Sequence, residues 1–157
     1  MSIVERSFRP SDITPERGRQ MIAWCIGRGG DQFGFSILGI DSPVSHQPLL
    51  DDLASFYDGK HERENTTTYA GDEVRRSTDT WRLARESLAA LEHHVPGGVF
   101  AEPPHSADWW VEDFLVYRRG EIMLGVVSHE DHAFVRLSEP EMIAFSDLVT
   151  PIDQTTI

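Results

Sequence analysis

The sequence predicts an α+β domain in which an antiparallel sheet of about four strands is covered by helices. Three strand-like segments follow one another between residues 109 and 137, with short polar turns between them, and strands joined in this way pair antiparallel. Segments with helical periodicity precede and follow them, and their apolar faces need a sheet to cover. With 157 residues, the chain is predicted to form a single domain, 1–157.

The N-terminal part is predicted to contain a helix, a strand and a second, shorter helix. Thr14 is a capping residue followed by proline, so a helix is predicted over 15–27, where glycines end it. Large apolar residues alternate with small ones over 32–40, which is typical of a strand. This strand is expected to join the sheet as its fourth member. A short amphipathic helix is predicted over 49–57.

The middle of the chain is predicted to contain a long helix over 72–95. Apolar residues recur there at helical spacing among charged ones, and Pro96 ends the pattern, although Thr78 is an alternative start. Such a helix, apolar on one side and charged on the other, is suited to lie across a two-fold axis, so a homodimer is predicted. For the preceding segment 66–69, strand and loop both remain open.

The C-terminal part is predicted to be a three-strand meander followed by a helix. The strands are expected over 109–117, 121–128 and 133–137, with turns of polar residues and glycine between them. Ser138 and Glu141 have the spacing of a capping box with a proline between them, so the last helix begins there.

Composition and charge limit the classes of partner. Fourteen basic residues against 26 acidic ones give a formal charge of −12, which repels nucleic acids and anionic lipid surfaces, so neither is predicted as a partner. The longest apolar run is far shorter than the roughly 20 residues that span a bilayer. The single cysteine, Cys25, permits no intrachain disulfide, and the N-terminus lacks a signal-like apolar run. These features favour a location in the cytoplasm.

Motifs for common chemistries are missing from the sequence. The glycines at 27–30 follow a predicted helix, whereas a phosphate-binding loop follows a strand and begins a helix. The sequence contains neither a serine-hydrolase elbow nor a His-Glu-x-x-His or paired Cys-x-x-Cys motif. Cys25 lies on the apolar side of the first helix, where it is expected to act as a small hydrophobe. No cofactor and no metal ion are predicted.

The principal candidate site lies at the start of the meander. Acidic groups, a histidine and indole rings there suit a polar ligand or acid–base chemistry. The candidate binding residues are His105, Asp108, Trp109, Trp110, Glu112 and Asp113.

Strand alternation predicts how these residues divide between the two faces of the first meander strand. Trp110 and Glu112 are expected on the face of Phe114 and Val116, and Trp109 on the face of Asp113. Both faces are mostly apolar, so the strand is predicted to be central and covered on both sides. The two carboxylates then interrupt its apolar faces, and a carboxylate buried there needs a partner.

A second candidate is the turn formed by His129, Glu130, Asp131 and His132. Imidazole and carboxylate groups are metal ligands, but side chains in a hairpin turn splay outward, so at most two are expected to converge. A solvated polar turn is the preferred explanation of these residues. The pair His93 and His94 is explained by its place at the end of a helix, where cations stabilise the helix dipole.

Two functions of different class fit these features. The first is a non-catalytic protein-binding module, in which the acids steer a basic protein partner and a tryptophan anchors it. In size and charge the chain resembles immunity proteins, which neutralise basic toxins. The alternative is a small enzyme or metal-binding protein that uses His, Asp and Glu near 105–113 or in the 129–132 turn.

Overall fold

The computed structural model describes residues 2–39, 41–67, 73–101 and 107–149, and it describes side chains there except at 62–67 and 73–77. Three short 3-10 helices lie at Pro10–Asp12, Ala54–Phe56 and Ser128–Glu130. The strands and α-helices, in chain order, are β1 Ile3–Phe8, α1 Pro15–Gly27, β2 Gln32–Leu38, α2 Gln47–Leu53, β3 Tyr57–Thr67, β4 Glu73–Arg82, α3 Arg85–His94, β5 Trp110–Arg118, β6 Glu121–Val127, β7 His132–Ser138 and α4 Glu139–Ser146.

The strands form one open sheet in the order β1-β7-β6-β5-β2-β4-β3, and all neighbours run antiparallel. The sheet therefore has seven strands, and the predicted number of about four is wrong. The α+β class, the meander β5-β6-β7 and the joining of β2 to the meander agree with the prediction from the sequence, and β2 lies beside β5. Among the described residues, no helix combines the length and the apolar character that crossing a membrane requires.

The three strands that were not predicted from the sequence are β1, β3 and β4. β1 and β3 lie at the two edges of the sheet, where one side of the backbone has no neighbour and polar residues are tolerated. Their sequences consequently lack a regular apolar alternation. β3 includes Thr66 and Thr67, so the described part of the segment 66–69 is a strand. Residues 68 and 69 lie outside the described ranges.

The predicted long helix over 72–95 is wrong in its first half. Residues 73–82 form β4, and only 85–94 are helical. Thr78, Thr80 and Trp81 favour a strand, and Trp81 pairs with Phe33 of β2 and with Tyr57 of β3. The prediction of a homodimer rested on this long helix, so it loses that premise.

The other helices begin close to where local signals place them. The hydroxyl of Thr14 accepts a hydrogen bond from the Arg17 amide at 3.2 Å, which caps α1. The predicted helix over 49–57 is shorter, since α2 ends at Leu53 and a 3-10 turn leads into β3. At α4, Glu141 accepts a hydrogen bond from the Ser138 amide at 3.0 Å, as the capping box requires.

All four α-helices contribute to one buried cluster together with residues of the sheet. At its centre, Phe35 stacks on Trp81 with ring centroids 4.6 Å apart. Phe33 lies 5.8 Å from the centroids of both Trp81 and Phe114. Cys25 of α1 is fully buried, as expected for a small hydrophobe. The aromatic side chains thereby join β4, β2 and β5 into one packed unit.

Candidate functional site

A β-bulge at Asp113 decides the orientation of the candidate residues. Gly34 pairs with Leu115 but Ser36 pairs with Glu112, so Phe35 alone opposes both Asp113 and Phe114. Asp113 adopts a left-handed conformation with φ of 53°, as bulges often require. The extra residue shifts the alternation of side chains by one position. Val111 therefore joins the core, whereas Trp110 and Glu112 are half-buried outside it.

The predicted division of the two faces is consequently wrong for residues before the bulge. Trp110 and Glu112 do not share the core face with Phe114, and the partly buried Trp109 packs against the core instead. The ring of Trp109 also meets His46 edge-on, with centroids 6.3 Å apart. Regular alternation failed because it assumes a strand without a bulge.

The carboxylate of Asp113 is used within the fold. Its Oδ1 accepts a hydrogen bond from the Ser128 amide at 3.0 Å, and its own amide donates to the Ser128 hydroxyl at 3.0 Å. This reciprocal pair ties the bulge in β5 to the residue that follows β6. Asp113 thus has the partner that a half-buried carboxylate needs, and we assign it a structural role.

A groove of about 750 Å³ opens beside the bulge. The register of β5 with β6 runs from Arg118 to Leu115, whereas its register with β2 continues to Trp110, so the groove lies where β5 separates from β6. It is lined by residues from both candidate regions of the sequence and from the segment after β1. Its lining residues are Arg9, Pro10, Ser11, Phe100, Ala101, Ala107, Trp110, Glu112, Val126, Ser128, His129, Glu130 and Asp131.

Trp110 and Glu112 form the wall that belongs to β5. The indole Nε1 of Trp110 donates a hydrogen bond to Oε1 of Glu112 at 2.9 Å. Two residues apart on one strand, they lie on the same side, so the carboxylate fixes the ring. A half-exposed indole held in this way is an amphipathic contact surface that has little conformational freedom left to lose on binding.

The opposite wall contains an ion pair between Asp131 and Arg9. Asp131 adopts φ of 46° after the 3-10 turn. Its carboxylate accepts hydrogen bonds from the Ser11 hydroxyl at 2.7 Å, from the Ser11 amide at 3.0 Å and from Nε of Arg9 at 3.0 Å. The bond from the Ser11 hydroxyl, with further help from Arg9, lowers the pKa of Asp131. The carboxylate is therefore ionised and fully engaged.

The remaining candidates are more dispersed. Asp108 is exposed, and His105 lies outside the described residues. The ring of His132 turns toward Phe134, with centroids 6.2 Å apart, whereas His129 lines the groove and lies 3.6 Å from Glu130. The two histidines of the turn therefore lie in different surroundings. Sequence reasoning missed Arg9 and Ser11, because only the pairing of β1 with β7 brings them to Asp131.

The groove brings an indole ring together with carboxylate groups. In the part of the chain that the structure describes, no group of three or more His, Cys, Asp or Glu side chains is placed to hold a metal ion. Two of the carboxylates, the half-buried Glu112 and the exposed Glu130, line the same groove as the indole of Trp110, and indole rings attract positively charged groups.

Cys25 is predicted to be chemically inert in the native protein. Burial raises the pKa of its thiol to about 12, so the reactive thiolate is scarce at neutral pH. We expect the native protein to react with Ellman's reagent at least ~100-fold more slowly than the urea-unfolded chain, because reaction requires opening of the core. Stoichiometric release of the chromophore from native protein at the unfolded rate would contradict this burial.

Comparisons of the chain with protein-family models, with curated proteins and with solved structures find no match. The interpretation of the groove therefore rests on its own residues, geometry and charge.

Proposed function

We propose that this protein is a non-catalytic binding module that holds a basic protein partner in the groove between β5 and the 128–131 turn. The observation that carries this proposal is the presence of a fixed, half-exposed indole and of the carboxylates of Glu112 and Glu130 in one groove. Tryptophan is among the residues that most often anchor protein interfaces. The acids, within a chain of formal charge −12, would steer a basic partner toward it.

The state of the polar groups supports binding over catalysis. Asp131 is committed to Ser11 and Arg9, and Asp113 is committed to Ser128. The thiol of Cys25 lies in the core, away from the groove. The single cysteine is buried and free, which also supports a reducing compartment. We therefore propose that the protein meets its partner in the cytoplasm.

The proposal predicts an interaction that is sensitive to salt and to Trp110. Protein immobilised at low ionic strength should retain a specific basic protein from a lysate of the source cells. Trp110→Ala should weaken the interaction with that purified partner at least ~10-fold, since it removes the central anchor. Raising the salt concentration should lower the association rate, because it screens the steering charges. Calorimetry and stopped-flow measurements with the purified partner would give both quantities.

Tyr57→Ala is the matched control, because Tyr57 is an aromatic residue that is 51% exposed on β3 and does not line the groove. It should leave the affinity unchanged. Equal affinities of the Trp110 and Tyr57 variants would exclude the groove as the docking surface. Failure to retain any specific protein at low salt would remove the support for a basic partner.

A further inference from the structure

The two walls of the groove differ in the charge that they leave for a ligand. Among the described lining residues, one arginine, Arg9, and one histidine, His129, stand against the three carboxylates of Glu112, Glu130 and Asp131. Arg9 directs both Nε and a terminal nitrogen to Asp131, at 3.0 and 2.9 Å. Arg9 and Asp131 therefore neutralise each other, and an anion placed in the groove would meet Arg9 already paired, whereas Glu112 has no cationic partner among the described residues.

Within the described residues, the wall formed by Trp110 and Glu112 retains an uncompensated negative charge. Glu112 takes a single hydrogen bond from within the described residues, and it comes from a neutral donor, the indole of Trp110. As far as the described residues go, Oε2 and the second lone pair of Oε1 are left to accept hydrogen bonds from a ligand. Because the same bond fixes the ring, a cation drawn to the carboxylate arrives beside an aromatic surface that is already in place.

We infer that this wall recognises the guanidinium group of an arginine side chain of the partner, stacked on the ring of Trp110 and hydrogen-bonded to the carboxylate of Glu112. This inference rests on the proposed function and identifies the partner group that the groove holds. Charge complementarity selects a cation over an anion, and the pairing of an indole surface with a carboxylate selects a planar cation.

The preference for arginine over lysine follows from shape. A guanidinium group is planar, stacks on aromatic rings and presents several N–H donors in a fixed fork toward a carboxylate. An ammonium group is compact and strongly hydrated, so it loses more hydration when it enters a partly buried groove. Glu130, which is 57% exposed at the rim, adds attraction for either cation but little selectivity.

Nuclear magnetic resonance with short peptides tests the inference without the partner. The ¹⁵N-labelled protein is titrated with three capped tripeptides, Gly-Arg-Gly, Gly-Lys-Gly and Gly-citrulline-Gly, the last having an uncharged side chain of almost the same shape. The indole N–H signal of Trp110, assigned by its loss in Trp110→Phe, reports on the hydrogen bond to Glu112. We expect a saturable shift with the arginine peptide, an affinity at least ~3-fold weaker for lysine, and no shift with citrulline.

Two carboxylate variants make the test specific. Glu112→Gln keeps an oxygen that accepts the bond from Trp110 but removes the charge, so the affinity for the arginine peptide should fall about 10-fold. Glu86→Gln removes an equal charge from the exposed first turn of α3 and should change the affinity little. A loss of the same size in both variants would show general electrostatic attraction and overturn the site.

The outcomes separate this inference from the proposed function. Equal shifts by arginine and citrulline, or equal affinity for arginine and lysine, would overturn recognition of a guanidinium group. If the partner needs Trp110 but no peptide moves its signal, the groove is a docking surface that recognises another group. If the arginine peptide binds but Trp110→Ala leaves the affinity for the partner unchanged, the arginine site stands and the proposed docking surface fails.

Discussion

Replacing Phe33 by alanine is expected to lower the free energy of unfolding by about 3–5 kcal/mol. Phe33 is fully buried, and its ring lies 6.2 Å from the ring of Phe35 and 5.8 Å from those of Trp81 and Phe114, between centroids. Its neighbours across the sheet are Trp81 of β4 and Val116 of β5. The substitution leaves a cavity where three central strands meet, so the loss should lie at the high end for a single core residue.

Urea denaturation followed by circular dichroism measures this loss. Tyr57→Ala is the control, since Tyr57 also contacts Trp81, edge-on at 6.2 Å, but is 51% exposed. Its cost should not exceed about 1 kcal/mol, because little cavity is created at a surface position. Similar losses in the two variants would mean that the aromatic cluster is not the centre of the core.

Elements with local signals were predictable from the sequence. The cap at Thr14 and the capping box of Ser138 and Glu141 set the starts of α1 and α4, because a few neighbouring residues satisfy the free amides there. The meander was equally predictable, since its strands follow one another directly and its turns contain polar residues and glycine. In such elements, the determining contacts lie within a few positions along the chain.

Elements that depend on distant partners were missed. β1 is paired with β7, more than 100 positions away in the sequence, and its own residues show no clear periodicity. β4 was taken for part of a helix because its spaced apolar residues also fit helical periodicity. Trp81 in fact faces Phe33 and Tyr57 on neighbouring strands, so cross-strand packing decides the structure against the local pattern.

The candidate site was predicted only in part, because some of its residues come together through contacts between distant parts of the chain. Its residues Trp110 and Glu112 do lie in a groove, and the turn at His129 proves to be the other side of it. The bulge at Asp113 was not foreseeable, because an aspartate inside a strand-like segment gives no glycine signal for a left-handed conformation. Arg9 and Ser11 reach the groove only through the pairing of β1 with β7.

Glu141 connects the start of α4 to β5 through an ion pair with Arg118. The guanidinium donates from its two terminal nitrogens, at 2.6 Å to Oε1 and 3.3 Å to Oε2. Oε2 also accepts bonds from the amide and hydroxyl of Ser138. The side chains of Arg118 and Glu141 are only 23% and 19% exposed. Mainly through the bond from Arg118, the pKa of Glu141 falls from 4.5 to about 2.

Glu141→Gln should therefore destabilise the protein near neutral pH and lose its effect in acid. Glutamine retains a capping oxygen but leaves Arg118 without its counter-charge, and we expect a loss of about 1–3 kcal/mol at pH 7. A folded-state pKa that lies below the unfolded one contributes stability above the unfolded value and loses it as the pH falls through the folded value. The difference between native protein and variant should thus be full above pH 4.5 and shrink toward pH 2.

The neighbouring exposed acid Glu139 provides the matched control, since it lies in the same first turn of α4. Glu139→Gln should change the free energy of unfolding by no more than about 0.5 kcal/mol, because exposed charges near a helix start contribute little. Urea denaturation of the three proteins between pH 2 and pH 7 measures the effect. A penalty for Glu141→Gln that stayed constant across this range would show that the side chain acts through packing, since only the ionised carboxylate attracts Arg118.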